Sequence, residues 1–346
     1  MAVRPLLVGA ASPLKLFDKP LLAVESSCDE TSAAVILGRT ILSSVVSSQI
    51  EMHQKWGGVV PEAAARAHVE AIIPVISDAI QQSGFAISEL GAIAVTNRPG
   101  LVGALSVGAT AAKALAFSLK IPLIGIHHLE GHLLSTLALA EPPPFPHACL
   151  IVSGGHTELV AVQEPGVYKI LGETRDDAAG EAFDKGARLL GLGYPGGYAI
   201  QQAAVGGNPR RYALPKGLSG DTIDFSFSGL KTAVLRLTEK EGANLDIRDA
   251  AASLQEAIVN VLAERAMRAV DRMNFTSLTL VGGVAANLAL RERLAQLCSA
   301  NGFGFYPAPL ALCTDNAAMI GLAASTRLAR GEDDSYDLDV FPNAEL

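Results

Sequence analysis

Two stretches of the chain share one layout, and that repeat constrains the fold more than any single motif. "LLAVESSCDETSAAVIL", Leu21 to Leu37, is an apolar run, a polar turn and a second apolar run, and "ACLIVSGGHTELVAV", Ala148 to Val162, has the same form. Short apolar runs joined by a polar turn read as β-hairpins. Two of them about 125 residues apart, each followed by alternating helical and strand-like segments, read as an internal duplication.

Behind the first hairpin the pattern gives a helix in "PEAAARAHVEAIIPVISDAI", a strand in "GAIAVT", a helix from Leu101 and a strand in "IPLIGI". Behind the second it gives helices in "AGEAFDKGARLLG" and "RDAAASLQEAIVNVLAERAMRAV", a strand in "SLTLVGG" and a last helix in "NAAMIGLAAS". Between the halves lies "AEPPPFPH", residues 140–147, whose four prolines neither continue a helix nor fit a central strand. The expected division is a first lobe over 21–143 and a second over 144–346. Two α/β lobes that each open on a hairpin are similar to the actin-like ATPase (ASKHA, ribonuclease H-like) fold, in which a nucleotide lies in the cleft with its phosphates over the hairpin turns. Sugar kinases and heat-shock chaperones share that layout, so it ranks functions without assigning one.

A length of 346 residues suits two domains. The net charge of −8 argues against a chain that coats nucleic acid through a broad basic face, so such a partner meets a local patch or a second subunit. Arg210, Arg211 and Lys216 in "NPRRYALPK" are the candidate patch. Cys28, Cys149, Cys298 and Cys313 form no C-x-x-C pair and read as reduced thiols of a cytoplasmic protein. "LVGALSVGATAAKALAFSL", Leu101 to Leu119, approaches membrane length, but Lys113 and its small residues favour a buried, closely packed helix, so no membrane is expected. The first 20 residues, without acid until Asp18 and broken by Pro5 and Pro13, read as a disordered leader; a targeting peptide, and with it an organellar location, is the alternative.

Several turns carry groups suited to chemistry. "SGG", Ser153 to Gly155, lets backbone amides converge on a phosphate oxygen, or is simply a tight turn. Its counterpart "ESSCDE" carries Glu25, Asp29 and Glu30 and repels phosphate unless a metal or a cationic group intervenes. "VGGVAAN", Val281 to Asn287, follows a strand and opens a helix; Asn287 either hydrogen-bonds a nucleoside or caps that helix. "GEAFDKGA" sets Asp184 and Lys185 on a helix beside the cleft, as a ribose acceptor or as a solvated face. "GLGYPG", Gly191 to Gly196, spells G-x-G-x-x-G, but it follows a helix and contains Pro195, so it is a glycine-rich turn and not a dinucleotide fingerprint.

"HHLEGHLL", residues 127–134, imitates a zinc peptidase. In the peptidase motif the glutamate directly follows the first histidine; here it comes one position later. With His127 ending a strand, His128 and His132 share one helical face and can chelate one ion, while Glu130 faces the other way. Capping and core polar contacts are the alternative for the two histidines. Asp315 in "CTDNAA" is the candidate third ligand, and two His with one Asp suit iron or zinc.

Taken together, "ESSCDET", "GGVVPE", "HHLEGHLL", "VSGGHTEL", "GEAFDK", "GYPGG", "DFSFSGLKT", "GGVAAN" and "CTDNAAM" closely resemble, in order, the signature blocks of the TsaD family, the bacterial tRNA N6-adenosine threonylcarbamoyltransferases, once described as glycoproteases. The likeness runs from about Leu21 to Ala329, with one departure at Arg98, where the family usually has a small residue. It implies transfer of threonylcarbamoyl from threonylcarbamoyl-AMP to N6 of adenosine 37 in tRNAs reading ANN codons, forming t6A and releasing AMP. It implies one divalent metal, iron(II) first and zinc second, on His128, His132 and Asp315. It implies a donor site of Ile151, Val152, Ser153, Gly154, Gly155, Asp184, Gly197 and Asn287. Glu25 lies in the block on the acidic side of the active site and is the one catalytic candidate; no base for the N6 proton is assigned. The implied partners are tRNA, a non-catalytic TsaB-type paralogue and a small TsaE-type ATPase. A metallopeptidase and a kinase- or chaperone-like ATPase are the competing readings.

Overall fold

In the computed structural model, which describes residues 14–56 and 58–346, each hairpin seeds a five-stranded sheet of the same design. β1 (Leu21–Glu25) and β2 (Glu30–Leu37) form the first hairpin, and β3 (Thr40–Ser48) extends it antiparallel. After α1 (Ile50–Gln54) and α2 (Pro61–Ser83), β4 (Ala92–Arg98) pairs parallel on the other side of β1. The crossover α3 (Val102–Leu119) leads to β5 (Leu123–His127), and α4 (His128–Leu134) follows directly. The order is β3-β2-β1-β4-β5.

The second half repeats it. β6 (His147–Val152) and β7 (Thr157–Glu164) are the hairpin and β8 (Val167–Glu173) the extension. α5 (Ala179–Leu189), α6 (Gly196–Ala203), α7 (Ser228–Glu241) and α8 (Ile247–Arg272) form the long crossover to β9 (Ser277–Val281), and α9 (Leu288–Ala300) leads to β10 (Gly304–Pro307). The order β10-β9-β6-β7-β8 is the first sheet read from its other end. Parallel neighbours need such helical crossovers, whereas the antiparallel ones need only turns. Local chemistry fixes the helix ends: Pro61 opens α2 and left-handed Gly84 closes it, while the Asp246 carboxylate accepts from the Arg248 and Asp249 amides to start α8.

The last helix departs from the expected division. α10 (Ala317–Leu328) packs on β1, β2 and α4, across the boundary expected at residue 143. All of its residues except Arg327 are buried, and a helix apolar on every side must be enclosed, which here sets it against the first sheet. Gly321 makes the approach possible, since a Cβ there would stand 2.4 Å from Ile36 Cγ1. The chain beyond follows: the Asp334 amide donates to Leu123 O at 2.7 Å and the Phe341 amide to Asn97 O at 2.9 Å.

Two further expectations change. α3 is not enclosed: its Ala104, Leu105, Gly108, Ala109, Ala112 and Ala116 face inward while Val102 and Phe117 are exposed, so it is a two-faced crossover helix. Of the expected leader, residues 1–13 lie outside the described residues, but 14–20 are described, and the Phe17 amide donates to Ser325 O at 3.0 Å. Overpacking a closely fitted core typically costs about 1–3 kcal/mol. Gly321→Val is therefore expected to lower the urea midpoint by that equivalent, and an unchanged midpoint would contradict the placement of α10.

Candidate functional site

The end of β5 sets up the first two ligating groups. His127 Nδ1 accepts the Leu129 amide at 3.2 Å, so the chain turns from strand into helix at once. One helical turn then stacks His128 and His132, with ring centroids 4.9 Å apart at 89°. Asp315, in the bend before α10, places Oδ1 3.4 Å from His128 Nε2 and 3.2 Å from His132 Nε2. One donor atom from each of the three lies within 4.8 Å of the others. An ion with ligand bonds of about 2.0–2.1 Å spaces tetrahedral donors roughly 3.3 Å apart, so this group could hold one metal ion, and two imidazoles with a carboxylate suit iron or zinc.

Glu25, at the end of β1, supports this trio from behind. It is fully buried; Oε2 accepts from Thr96 Oγ1 at 2.5 Å and lies 3.1 Å from His128 Nδ1, and Oε1 accepts the Ser27 amide at 2.6 Å. That contact orients the ring so that Nε2 faces Asp315. Burial favours the neutral carboxyl of Glu25, but the positive His128 overrides it and holds the group below the usual carboxylate range. Burial likewise opposes charge on His128, yet Asp315 and Glu25 raise it well above an ordinary histidine. Asp315, despite burial, is held well below the usual range by His128 and His132. Glu130 does face the other way: its Oε1 accepts from the Tyr168 hydroxyl at 3.0 Å, and Oε2 lies 3.7 Å from Arg327.

A cleft of about 880 Å³ opens in front of His128 and Asp315, between the two hairpin turns. Ser27, Cys28, Asp29 and Glu30 line it from the first turn, and Ser153, Gly154, Gly155 and His156 from the second. The Ser153 amide is tied to His156 O, but among the described residues the amides of Gly154 and Gly155 meet no protein acceptor, and a Cβ at either glycine would meet open space. Gly180 seats the N-terminus of α5 on this turn, where a Cβ would stand 2.6 Å from Ser153 O. The second turn therefore offers free N–H donors and the first offers carboxylates.

The other expected donor residues lie outside this lining. Ile151 and Val152 are fully buried in β6. Asp184 Oδ1 accepts the Gly196 amide at 2.7 Å, tying α5 to α6, and Gly197 sits in the first turn of α6 with room above it. Asn287 caps α9 by accepting the Leu290 amide at 3.0 Å and gives its side-chain N–H to Gln255. Lys185 is held by Asp177 and Glu181 at 2.7 and 2.9 Å. "GYPGG" is more than a turn: Pro195 cannot lie inside a helix but sits at the N-cap, so α6 begins at Gly196 and Tyr194 is left facing the cleft. Tyr194, His156 and the lining residues Pro342 to Glu345 were not expected from the sequence. Tyr194 and His156 lie inside the "GYPGG" and "VSGGHTEL" blocks, but only tertiary folding brings them and the tail to one cleft.

Comparison with known proteins identifies the family of the chain. A family model described as "TsaD: tRNA N6-adenosine threonylcarbamoyltransferase" matches residues 40–322. A tRNA N6-adenosine threonylcarbamoyltransferase of Anaeromyxobacter dehalogenans (strain 2CP-C) is 52% identical over 327 residues, covering 93% of this chain and 98% of that protein. One from Syntrophotalea carbinolica is 49% identical over 332 residues, covering 94% and 96%. Among solved structures, HypF from T. kodakarensis aligns with a TM-score of 0.63 at 14% identity, over 92% of this chain and 49% of that one. This last likeness bears on fold alone, and the fold is the actin-like ATPase one with two duplicated α/β lobes.

If the trio holds an ion, His132→Ala and Asp315→Ala should each reduce bound metal from about one equivalent to near zero by elemental analysis. Glu25→Gln, which leaves the ligands in place, should weaken affinity about 10–100-fold. Occupancy should also fall as pH drops, because protons compete for the imidazoles. Full occupancy in Asp315→Ala would rule out this centre.

Proposed function

The chain belongs to the TsaD family of tRNA N6-adenosine threonylcarbamoyltransferases, and from that premise we propose that it transfers threonylcarbamoyl from threonylcarbamoyl-AMP to N6 of adenosine 37 in ANN-reading tRNAs, forming t6A and releasing AMP. The observation that carries this reading is the family match, which runs from β3 into α10 and includes His128, His132 and Asp315. The enzyme is an acyltransferase: the adenylate is the activated donor and the adenine amine the acceptor.

In this reading the free amides of Gly154 and Gly155, with Ser153, take the donor's phosphate. Asp184, Gly197 and Asn287 lie on the adenosine side, and Ile151 and Val152 contribute by fixing the strand that carries the turn. Glu25 acts through His128 by holding its ring. The metal is iron(II) first and zinc(II) second, and when bound it supplies Lewis acidity toward an oxygen of the threonylcarbamoyl group or its phosphate. His128, His132 and Asp315 hold it, and the cleft brings donor and tRNA together so that the two reactants meet in one orientation. A peptidase reading is not retained, because Glu130 is engaged by Tyr168 and Arg327 away from the trio.

The partners are tRNA, a TsaB-type paralogue and a small TsaE-type ATPase, working in the cytoplasm without a membrane. An apolar face formed by Val69 and Ile73 of α2 and Val102 of α3, 62%, 65% and 58% exposed, supports docking of a second protein. Arg210, Arg211 and Lys216 are exposed and suit a phosphate backbone.

Reconstitution with threonine, bicarbonate, ATP, the partner proteins and an ANN-reading tRNA should yield t6A by nucleoside mass spectrometry. No t6A in the presence of demonstrable threonylcarbamoyl-AMP would overturn the reading. Ile73→Glu should weaken association with the paralogue at least about tenfold, since it buries a charge at the interface, while metal content stays unchanged; wild-type association by sedimentation would exclude this face.

A further inference from the structure

Adenine N6 is a weak nucleophile whose proton must leave as the new bond forms, so the proposed transfer, on which this inference rests, needs a proton acceptor in the cleft. Most titratable groups there are already engaged. His128 and Asp315 hold one another. Burial pushes the Cys28 thiol far up and the Tyr194 hydroxyl up to about 12, so both keep their protons. Asp29 lies against the Cys28 thiol. Glu30 accepts from Ser48 Oγ at 2.8 Å through Oε1, and its Oε2 is closed off from solvent. Glu345 stands exposed on the tail.

His156 differs from all of these. It lines the cleft, and among the described residues neither ring nitrogen has a hydrogen-bond partner. Its backbone is fixed on both sides: the Ser153 amide donates to His156 O at 2.8 Å, the His156 amide donates to Ser153 Oγ at 3.1 Å, and Thr157 Oγ1 accepts the Ala179 amide at 2.9 Å. Burial, reinforced by His128 and His132, lowers its imidazole to about 4, so the ring is neutral with a lone pair free. A metal ion on the trio acts in the same direction, and the departing AMP brings negative charge that favours the imidazolium as transfer proceeds.

We propose that His156 is the residue that accepts the N6 proton. The N6 electron pair bonds to the carbamoyl carbon, the bond from that carbon to the phosphate oxygen breaks with its electrons leaving on AMP, and the N6 proton passes to the imidazole and then to water. A positioned base contributes about 10²–10⁴-fold.

The test uses the reconstituted system with purified threonylcarbamoyl-AMP, comparing wild type with His156→Ala and with His156→Gln, which keeps hydrogen-bonding capacity but takes up no proton. Both variants should lose about 100-fold or more in kcat, with KM for donor and tRNA and the metal content within about twofold of wild type. Wild-type kcat in either variant, a raised KM at unchanged kcat, or a loss that follows lost metal would overturn the role. Failure of wild type itself to form t6A would instead reject the transferase reading.

Discussion

The Asp315 carboxylate set between two imidazoles is the contact on which the rest of the structure depends. Buried charge is costly unless it is paired and hydrogen-bonded, and here the pairing draws three remote segments together. Glu25 comes from the first strand, His128 and His132 from α4, and Asp315 from the bend before α10. The enclosure of α10 against the first sheet supplies the packing that holds Asp315 in place. A helix with only one apolar face could have lain elsewhere, and the third ligand would have gone with it.

Duplication gave two equivalent hairpin turns, and their residues then made them chemically opposite. The second turn, open at Gly154 and Gly155, presents unpaired N–H groups to the cleft. The first presents Asp29 and Glu30 and turns Glu25 inward onto His128. Carboxyl groups on one wall, with burial raising Asp29 and lifting Glu30 to about 7, and N–H donors on the other make the slot chemically asymmetric. In the proposed reading a phosphate takes one side, and a cation on the histidine-aspartate trio would offset the other.

Much of this was legible in the chain. Both hairpins carry apolar strands on each side of a polar turn, so their periodicity is unambiguous, and the two histidines four apart on "HHLEGHLL" could only share a helical face. Glu130 was equally readable, because position i+2 on a helix points away from i. Less legible was whatever depends on tertiary context. Asn287 had two readings, and in the structure it caps α9. α10 looked like an ordinary second-lobe helix, because the sequence does not say which sheet encloses a helix that is apolar all round. His156 and Tyr194 stand inside the "VSGGHTEL" and "GYPGG" blocks, but nothing local says that they and the tail meet in one cleft, or that α6 begins at Gly196 straight after Pro195.

The central claim is that a metal ion and an adenylate share the cleft, the ion on His128, His132 and Asp315 and the phosphate on the Ser153–Gly155 turn. Anomalous diffraction from crystals of the iron- or zinc-loaded protein with a non-hydrolysable threonylcarbamoyl-adenylate analogue tests it directly. The predicted result is one anomalous peak bonded to the two imidazoles and the carboxylate, with the analogue's phosphate against the Gly154 and Gly155 amides. A peak elsewhere, or an analogue bound away from that turn, would contradict it.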